Sequence, residues 1–158
     1  MRAGIGYDAH RLVEGRPLIL GGVVVPYRLG LAGHSDGDVA VHAIIDALLG
    51  AAALGDIGNH FSSDDPQYAN ISSLFLLARV GELLSDHGWR VLNVDATIVA
   101  ERPRLAPYIQ QMRQAVGASL HVGTDLISIK ATTTDGMGFA GREEGIAAQA
   151  IVLIEPVQ

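Results

Sequence analysis

The sequence of 158 residues is 49% apolar and 18% charged, which excludes a disordered chain and predicts a single domain over 1–158. Cysteine is absent, so a disulfide scaffold, a thiolate nucleophile and a cysteine-bound metal are excluded. The formal charge of −6, without a basic stripe, argues against nucleic acid as a partner; an anionic substrate would need positive charge supplied locally. We expect a cytoplasmic protein without a membrane span, because no apolar leader precedes the first strand and polar residues interrupt the most apolar stretch, 39–54.

Hydrophobic periodicity and turn residues predict the elements in chain order. A short strand is predicted at 3–7, and Gly21-Gly22 indicates a hairpin between the apolar triplets 18–20 and 23–25. The other predicted elements are a helix at 37–54 with Ser35 or Asp36 as its N-cap, a helix at 74–87, a strand at 92–100, a helix at 107–120, and strands at 126–132 and 146–154. This order predicts an α+β two-layer sandwich, with a mixed β-sheet and the helices on one face. The last strand is apolar on both faces, so the other face needs a cover, and self-association is one solution.

The first predicted helix carries a narrow polar stripe, in which Asp38, His42 and Asp46 are spaced four apart. A solvated stripe usually carries Lys, Glu, Arg and Gln, so these short side chains favour a functional site. Asp8 and His10 lie two apart on the first strand and therefore share a face, although a chance pair is the commoner explanation of that motif alone. With His42 they supply two imidazoles and one carboxylate, the pattern of a catalytic zinc with an open position.

Three further segments carry groups that suit phosphate. Gly33–Asp38 precedes a helix whose free N–H groups favour an anion, and His34 and Ser35 add donors, although a simple capped turn explains it equally well. Lys130–Asp135 combines a lysine, three hydroxyls and a carboxylate, which suit phosphate and a harder cation such as Mg²⁺; the β-propensity of threonine is the alternative. The two arginines of Ala100–Leu105 would also meet phosphate, but ordinary surface positions are favoured for either alone.

Four blocks of the sequence are specific enough to compare with known families: Gly6–His10, Ala32–Ala43, Gly50–Gly58 and Lys130–Asp135. Together they resemble the 2-C-methyl-D-erythritol 2,4-cyclodiphosphate synthase family. The resemblance implies a phosphorus–oxygen lyase of non-mevalonate isoprenoid biosynthesis, which converts 4-diphosphocytidyl-2-C-methyl-D-erythritol 2-phosphate to the cyclic diphosphate and CMP. It also implies a homotrimer that covers the second face of the sheet and shares each active site between neighbouring subunits. An isoprenoid diphosphate in an axial cavity of such a trimer is a separate hypothesis, compatible with catalysis.

The resemblance implies a role for each matching residue. Asp8, His10 and His42 would bind one zinc per subunit, and His34 and Thr133 would be the catalytic residues that stabilise the transition state. Asp135 would hold Mg²⁺ or Mn²⁺ on the substrate diphosphate. The substrate-binding residues would be Asp8, Ala9, His10, His34 and Ser35; Asp56, Ile57, Gly58, Phe61, Ser62, Ser63, Asp64 and Asp65 at the methylerythritol end; Ala100, Glu101, Arg102, Pro103, Arg104, Leu105, Ala106, Thr132, Thr133, Thr134 and Asp135 at the cytidine diphosphate end; and Phe139 and Arg142 near the trimer axis.

The sequence departs from the usual family pattern at three places. Asp135 stands where Glu is usual, and this shorter arm would contact the cation through water or weaken its binding. Arg104 stands where Lys is common, and Ser62-Ser63 replaces a proline-containing loop. Two other functions remain open: a zinc phosphohydrolase with an activated water, and a trimeric isoprenoid-diphosphate-binding module.

Overall fold

The computed structural model describes residues 1–157; Gln158, the last residue of the predicted domain, lies outside them. Within this range seven strands are formed: β1 (Arg2–Val13), β2 (Leu18–Leu20), β3 (Val23–Val25), β4 (Gly30–Leu31), β5 (Trp89–Val99), β6 (Ile127–Thr132) and β7 (Gly145–Pro156). Five of them form one sheet in the order β4-β1-β7-β5-β6, and β2 and β3 pair as the predicted hairpin. The pair β5–β6 is parallel and its neighbours are antiparallel, so the predicted mixed sheet of an α+β fold is confirmed.

The helices confirm the predicted pattern of three long elements. Among residues 1–157 the helices are α1 (Val39–Ala52), α2 (Ile57–His60), α3 (Ser73–Asp86), α4 (Ile109–Leu120) and α5 (Gly138–Gly141), with 3₁₀ turns at Pro66–Tyr68, Ala106–Tyr108 and Thr124–Leu126. Helix α1 packs on β1, β7 and β5, and α3 packs between α1 and α4. In the part of the chain that the structure describes, no helix has the length and hydropathy needed to span a bilayer. The cytoplasmic location stays a prediction.

Two glycines of β1 let α1 approach the sheet closely. A Cβ at Gly4 would lie 1.9 Å from the carbonyl oxygen of Ala47, and one at Gly6 would lie 1.9 Å from that of Ala43. Any side chain at either position would therefore push the helix away from the strand. Since alternate residues of a strand share a face, the next even-numbered residues of β1 also point toward α1.

The first strand is longer than predicted. It spans Arg2–Val13 rather than 3–7, because β7 pairs with it from the Arg2–Ile154 position to the Arg11–Gly145 position. Hydrophobic periodicity predicts only the start of the strand, which contains Gly4, Ile5 and Gly6. The polar residues that follow belong to the same strand because the backbone ladder continues through them.

The N-cap of α1 is Asp38, so the prediction of Ser35 or Asp36 was wrong. The Asp38 carboxylate accepts the N–H groups of Val41 at 3.1 Å, Gly21 at 2.9 Å and Gly22 at 2.7 Å. It thereby joins the β2–β3 hairpin to the start of the helix. Burial, and to a smaller extent the nearby carboxylate of Asp36, raises the pKa of Asp38.

Candidate metal centre

Three side chains from β1 and α1 converge on one point. His10 Nε2 lies 2.7 Å from Asp8 Oδ2 and 3.2 Å from His42 Nδ1, and His42 Nδ1 lies 3.0 Å from the same Asp8 oxygen. Asp8 and His10 occupy the face of β1 that carries the close-packing glycines, and α1 passes over that face one turn after its N-cap. The strand alternation and the helical stripe therefore bring together the three residues that the sequence singled out.

The donor set fits a metal ion. The three ligand atoms lie within 4.8 Å of one another, and ligands of tetrahedral zinc are about 3.3 Å apart when each bond is about 2.0 Å. Three lone pairs facing one another repel, so a proton or a cation between them stabilises the cluster. Within residues 1–157 the cluster has two nitrogen ligands and one oxygen ligand, which leaves a fourth position for a substrate atom.

The cluster is electrostatically matched to a cation. Burial opposes ionisation of Asp8, but its hydrogen bonds with His10 and His42 outweigh that cost and lower the pKa of the carboxyl to about 2. The hydrogen bond to Asp8 raises the pKa of His10 against the effect of burial. The carboxylate is therefore ionised at neutral pH and attracts positive charge to this point.

The cluster borders a cavity of about 300 Å³, which we call the metal-side cavity. Nine residues that the sequence analysis assigned to the site line this cavity: Asp8, His10, His34, Ser35, His42, Ile57, Gly58, Phe61 and Ser63. Tyr68 and Leu76 also line it without a predicted site role, and Asp46 lines it as a member of the polar stripe that favours a functional site. Asp46 accepts the N–H of Ile57 at 2.8 Å, so it ties the start of α2 to α1, and burial raises its pKa.

The segment that carries His34 and Ser35 is held by hydrogen bonds from a residue far away in the sequence. Arg16 donates to the carbonyl oxygen of Gly33 at 2.7 Å and to that of Ser35 at 2.6 Å. The His34 imidazole lies 3.0 Å from the carbonyl oxygen of Asp65. Sequence reasoning missed Arg16, because nothing in its local pattern indicates a contact with residues 17 or more positions away.

The loops after β5 and β6 form a second cavity, of about 360 Å³, which we call the loop cavity. It is lined by Ala100, Glu101, Arg102, Pro103, Arg104, Leu105, Ala106, Ala131, Thr132 and Thr133. Parallel pairing of β5 and β6 brings the two loops together, and Glu101 accepts the N–H of Thr134 at 3.3 Å. The loop cavity and the metal-side cavity have no lining residue in common.

Several predicted site residues line neither cavity: Ala9, Asp56, Ser62, Asp64, Asp65, Thr134, Asp135, Phe139 and Arg142. Ala9 and Phe139 line a smaller cavity of about 210 Å³ beside β1 and β7. Asp135 is exposed, and its carboxylate lies 3.5 Å from the Thr133 hydroxyl. Lys130 forms an ion pair with Asp95 on the surface of the sheet and also lies outside both cavities.

The N-terminus of α1 does not offer the predicted anion site. Val39, Ala40 and Val41 are fully buried, and the Asp38 carboxylate already occupies this end of the helix. The prediction that free N–H groups there would meet an anion was wrong. His34 and Ser35 remain beside the metal-side cavity, so side chains are the donors in this segment.

Comparison with known proteins decides the family. A model of the YgbB family matches residues 1–155. The chain belongs to the YgbB family. A family relative from Syntrophomonas wolfei subsp. wolfei is 61% identical over 155 residues, covering 98% of this chain and 99% of the relative. Another, from Symbiobacterium thermophilum, is 60% identical over 154 residues, covering 98% of each chain. Both are named 2-C-methyl-D-erythritol 2,4-cyclodiphosphate synthase, which confirms the predicted family.

Solved structures of similar proteins have the same fold. The bifunctional IspDF from Campylobacter jejuni matches with a TM-score of 0.96 and 38% identity, over 99% of this chain and 42% of that one. A 2C-methyl-D-erythritol-2,4-cyclodiphosphate synthase in its CDP-bound form matches with a TM-score of 0.89 and 35% identity, over 98% of this chain and 100% of that one. These matches confirm the α+β fold with a mixed sheet and helices.

Proposed function

We propose that this chain is a 2-C-methyl-D-erythritol 2,4-cyclodiphosphate synthase, a phosphorus–oxygen lyase of non-mevalonate isoprenoid biosynthesis. The observation that carries the proposal is the family match over residues 1–155. Within that match, the Asp8–His10–His42 cluster and its cavity supply a place for the chemistry. The chain would act as a single synthase domain over 1–158.

The proposed reaction closes a ring within one substrate molecule. An oxygen of the 2-phosphate of 4-diphosphocytidyl-2-C-methyl-D-erythritol 2-phosphate bonds to the β-phosphorus. The bond from that phosphorus to the bridging oxygen breaks, and CMP leaves with its electron pair. Both reacting groups are anionic, so the enzyme has to offset their repulsion and bring the two ends together. The reaction needs no protein nucleophile, in accord with a chain that lacks cysteine.

Asp8, His10 and His42 would hold zinc at the end of the metal-side cavity. When bound there, zinc acts as a Lewis acid that withdraws charge from phosphate oxygens. His34 and Ser35 would donate hydrogen bonds to the phosphate beside it, and Arg16 holds their backbone in place. The chain itself contributes position and hydrogen bonds, with His34 and Thr133 directed at charge that develops in the transition state.

The two cavities fit the two ends of this substrate. The metal-side cavity would hold methylerythritol between 56–58 and 61–65, and Asp46 fixes the first of these segments. The loop cavity, with Thr134 beside it, would take the cytidine diphosphate, in keeping with the CDP bound by a structural relative. Asp135 would hold Mg²⁺ or Mn²⁺ brought by the substrate diphosphate, because its carboxylate is exposed next to the Thr133 hydroxyl.

A homotrimer would join these two halves of the site. The sheet face away from α1 exposes Ile5 at 63%, Tyr7 at 59% and Ile151 at 51%, and Ile5 pairs with Ile151 in register. Contiguous exposed apolar side chains of this size favour a protein interface. In a closed ring, the metal-side cavity of one subunit would face the loop cavity of the next. Phe139 and Arg142 would approach the axis, where an isoprenoid diphosphate would bind.

Product analysis tests the proposal. The purified protein, with Zn²⁺ and Mg²⁺, is given 4-diphosphocytidyl-2-C-methyl-D-erythritol 2-phosphate, and the products are followed by phosphorus NMR. We expect equal amounts of CMP and the cyclic diphosphate. Release of a linear phosphate product would instead favour the zinc phosphohydrolase. No turnover, together with a prenyl diphosphate retained in native mass spectrometry, would favour the binding module.

A further inference from the structure

His42 has hydrogen-bond partners on both sides of its ring. Its Nδ1 faces Asp8 and His10 in the metal cluster. Its Nε2 faces away from the cluster and lies 2.8 Å from the hydroxyl oxygen of Ser73, the first residue of α3. His42 is 8% exposed and Ser73 is completely buried, so water does not replace this contact. A buried imidazole N–H without an acceptor is costly, so the partner on this side matters.

Ser73 is itself held by a carboxylate. Its hydroxyl donates to Asp36 Oδ1, and its backbone N–H donates to Asp36 Oδ2 at 2.9 Å. Asp36 Oδ1 also accepts the N–H of Asp38 at 3.1 Å. The Asp36 carboxylate thus joins the segment before α1 to the first turn of α3, and the Ser73 side chain has a fixed direction.

The hydrogen atoms along this chain of contacts can be assigned. A carboxylate has no hydrogen to donate, so the Ser73 hydroxyl gives its hydrogen to Asp36. The Ser73 oxygen is then an acceptor toward His42, and Nε2 of His42 carries the hydrogen. Nδ1 is left with a lone pair, which points at Asp8 and His10, as metal ligation requires.

We propose that Ser73 and Asp36 are positioning residues for the metal ligand His42: together they provide the buried acceptor that its Nε2–H needs when Nδ1 binds the ion. This inference rests on the proposed metal centre. Ser35 is a weaker second partner, because its hydroxyl lies 3.1 Å from Nε2 and also receives the Gly37 N–H at 3.4 Å. Outer partners of this kind typically change metal affinity by about 10-fold to 100-fold.

The first experiment measures zinc affinity by competition with a chromogenic chelator. Ser73→Ala removes the acceptor and should raise the zinc dissociation constant by about 10-fold to 100-fold. Ser72→Ala is the matched control, because Ser72 is an exposed serine at the same helix end whose side chain makes no capping hydrogen bond. Its zinc affinity should stay within about two-fold of the wild-type value, since a substitution with no lost contact has little effect.

A double-mutant cycle separates positioning from a general structural role. Asp36→Asn offers an amide hydrogen toward Ser73, which frees the hydroxyl hydrogen to oppose the Nε2–H of His42. Alone, it should weaken zinc binding. If the three residues act as one chain, Asp36→Asn should add little once Ser73→Ala is present, whereas independent structural losses would add. Additive losses would overturn the inference.

The wild-type protein gives a further test that needs no variant. In the zinc-saturated chain, nitrogen-15 NMR should show a His42 Nε2–H that exchanges slowly with water, because Ser73 holds it inside the protein. Exchange as fast as that of an exposed histidine would contradict the inference. Zinc binding by Ser73→Ala equal to that of the wild type would contradict it too, while leaving the metal centre intact. If the wild type binds no zinc, the metal centre and the inference both fail.

Discussion

The metal-side cavity and the loop cavity are built in different ways. In the metal-side cavity, donors from β1 and α1 converge on one point, and His42 is held from behind by a residue of α3. The loop cavity is formed by two segments that leave neighbouring strands, and Arg102, Arg104, Thr132 and Thr133 are exposed. Because part-buried and buried side chains of one fold converge there, a single chain completes the ligand set. The two loops instead present exposed side chains around their cavity.

In the proposed homotrimer, this difference would decide which half of the site depends on assembly. The close packing of α1 on β1 fixes the metal cluster inside a single fold, so we expect it to bind metal whatever the oligomeric state. The loop cavity shares no lining residue with it, and in the proposed homotrimer a substrate that needs both would bridge two subunits.

Removing a ligand should have the largest effect. His42→Ala leaves two ligands, so the zinc content should fall from about one per chain to nearly none, and kcat/KM should fall by about 100-fold or more. Elemental analysis and CMP release measure the two quantities. His87→Ala is a control, because His87 is exposed at the end of α3 and contacts a backbone carbonyl there. Full zinc occupancy in His42→Ala would show that the ligand set is wrong.

The close approach of α1 to β1 can be broken with one methyl group. In Gly6→Ala, the new Cβ would meet the Ala43 carbonyl at 1.9 Å, so the free energy of unfolding should fall by about 3 kcal/mol. The same change in Gly50→Ala meets nothing nearer than 4.0 Å and removes backbone freedom from a helix. It should raise the free energy of unfolding by about 0.5–1 kcal/mol. Urea denaturation measures both values, and equal effects would mean that the helix does not pack on this strand as described.

Mixing two inactive variants tests whether the cavities meet across a subunit boundary. One variant is His42→Ala, and the other combines Thr133→Ala with Asp135→Ala. In trimers assembled at random from equal amounts, about one interface in four pairs an intact metal side with an intact loop side. CMP release should therefore return to roughly a quarter of the wild-type rate, if sites act independently. Mixed trimers, verified by mass, that remain as inactive as their parents would place each site within one chain.

The two cavities also differ in how far the sequence predicted them. Asp8, His10 and His42 were found because strand alternation and helical spacing are local rules, and the fold brings the two faces together. The same helical stripe was misleading at Asp38, since a spacing of four cannot distinguish a buried cap from a ligand. Ser73 directly precedes the predicted helix at 74–87, but its contact with the metal ligand depends on how two helices far apart in the sequence pack together.

Boundaries and long-range contacts were beyond the sequence for a similar reason. The predicted first strand ended at 7, although pairing with β7 as far as Arg11 and with β4 at Leu12 and Val13 extends it to Val13. Arg16 holds the carbonyl groups of Gly33 and Ser35, and no local pattern announces such a contact. For the loop cavity, side-chain chemistry indicated only that Ala100–Leu105 and Lys130–Asp135 would suit phosphate; the individual roles came from the family resemblance and stay predictions.

Asp135 offers a smaller change on the loop side. Its φ of 53° lies in the left-handed region, which Asn tolerates as well as Asp does, so Asp135→Asn removes the charge without straining the backbone. The Mg²⁺ concentration needed for half-maximal CMP release should rise several-fold, because one anionic ligand of the second cation is lost. Zinc content should not change, since Asp135 lies outside the metal cluster. Full activity of the zinc-loaded wild type without any other divalent ion would contradict a second cation at this position.

The smallest effect is expected beside the loop cavity, at the ion pair of Lys130 and Asp95. The hydrogen bond from Lys130 outweighs the effect of burial and lowers the pKa of Asp95. The pair therefore stabilises the fold at pH values above the ordinary aspartate pKa. This contribution is lost as the pH falls through the lower pKa that Asp95 has in the folded state. Both side chains are about half exposed, at 55% and 45%, and solvent screens them. Lys130→Met should therefore lower the free energy of unfolding by no more than about 0.5 kcal/mol at pH 7. The difference, measured by urea denaturation, should vanish in about 1 M salt. A loss of several kcal/mol that persists in salt would contradict the description of this ion pair as exposed and screened by solvent.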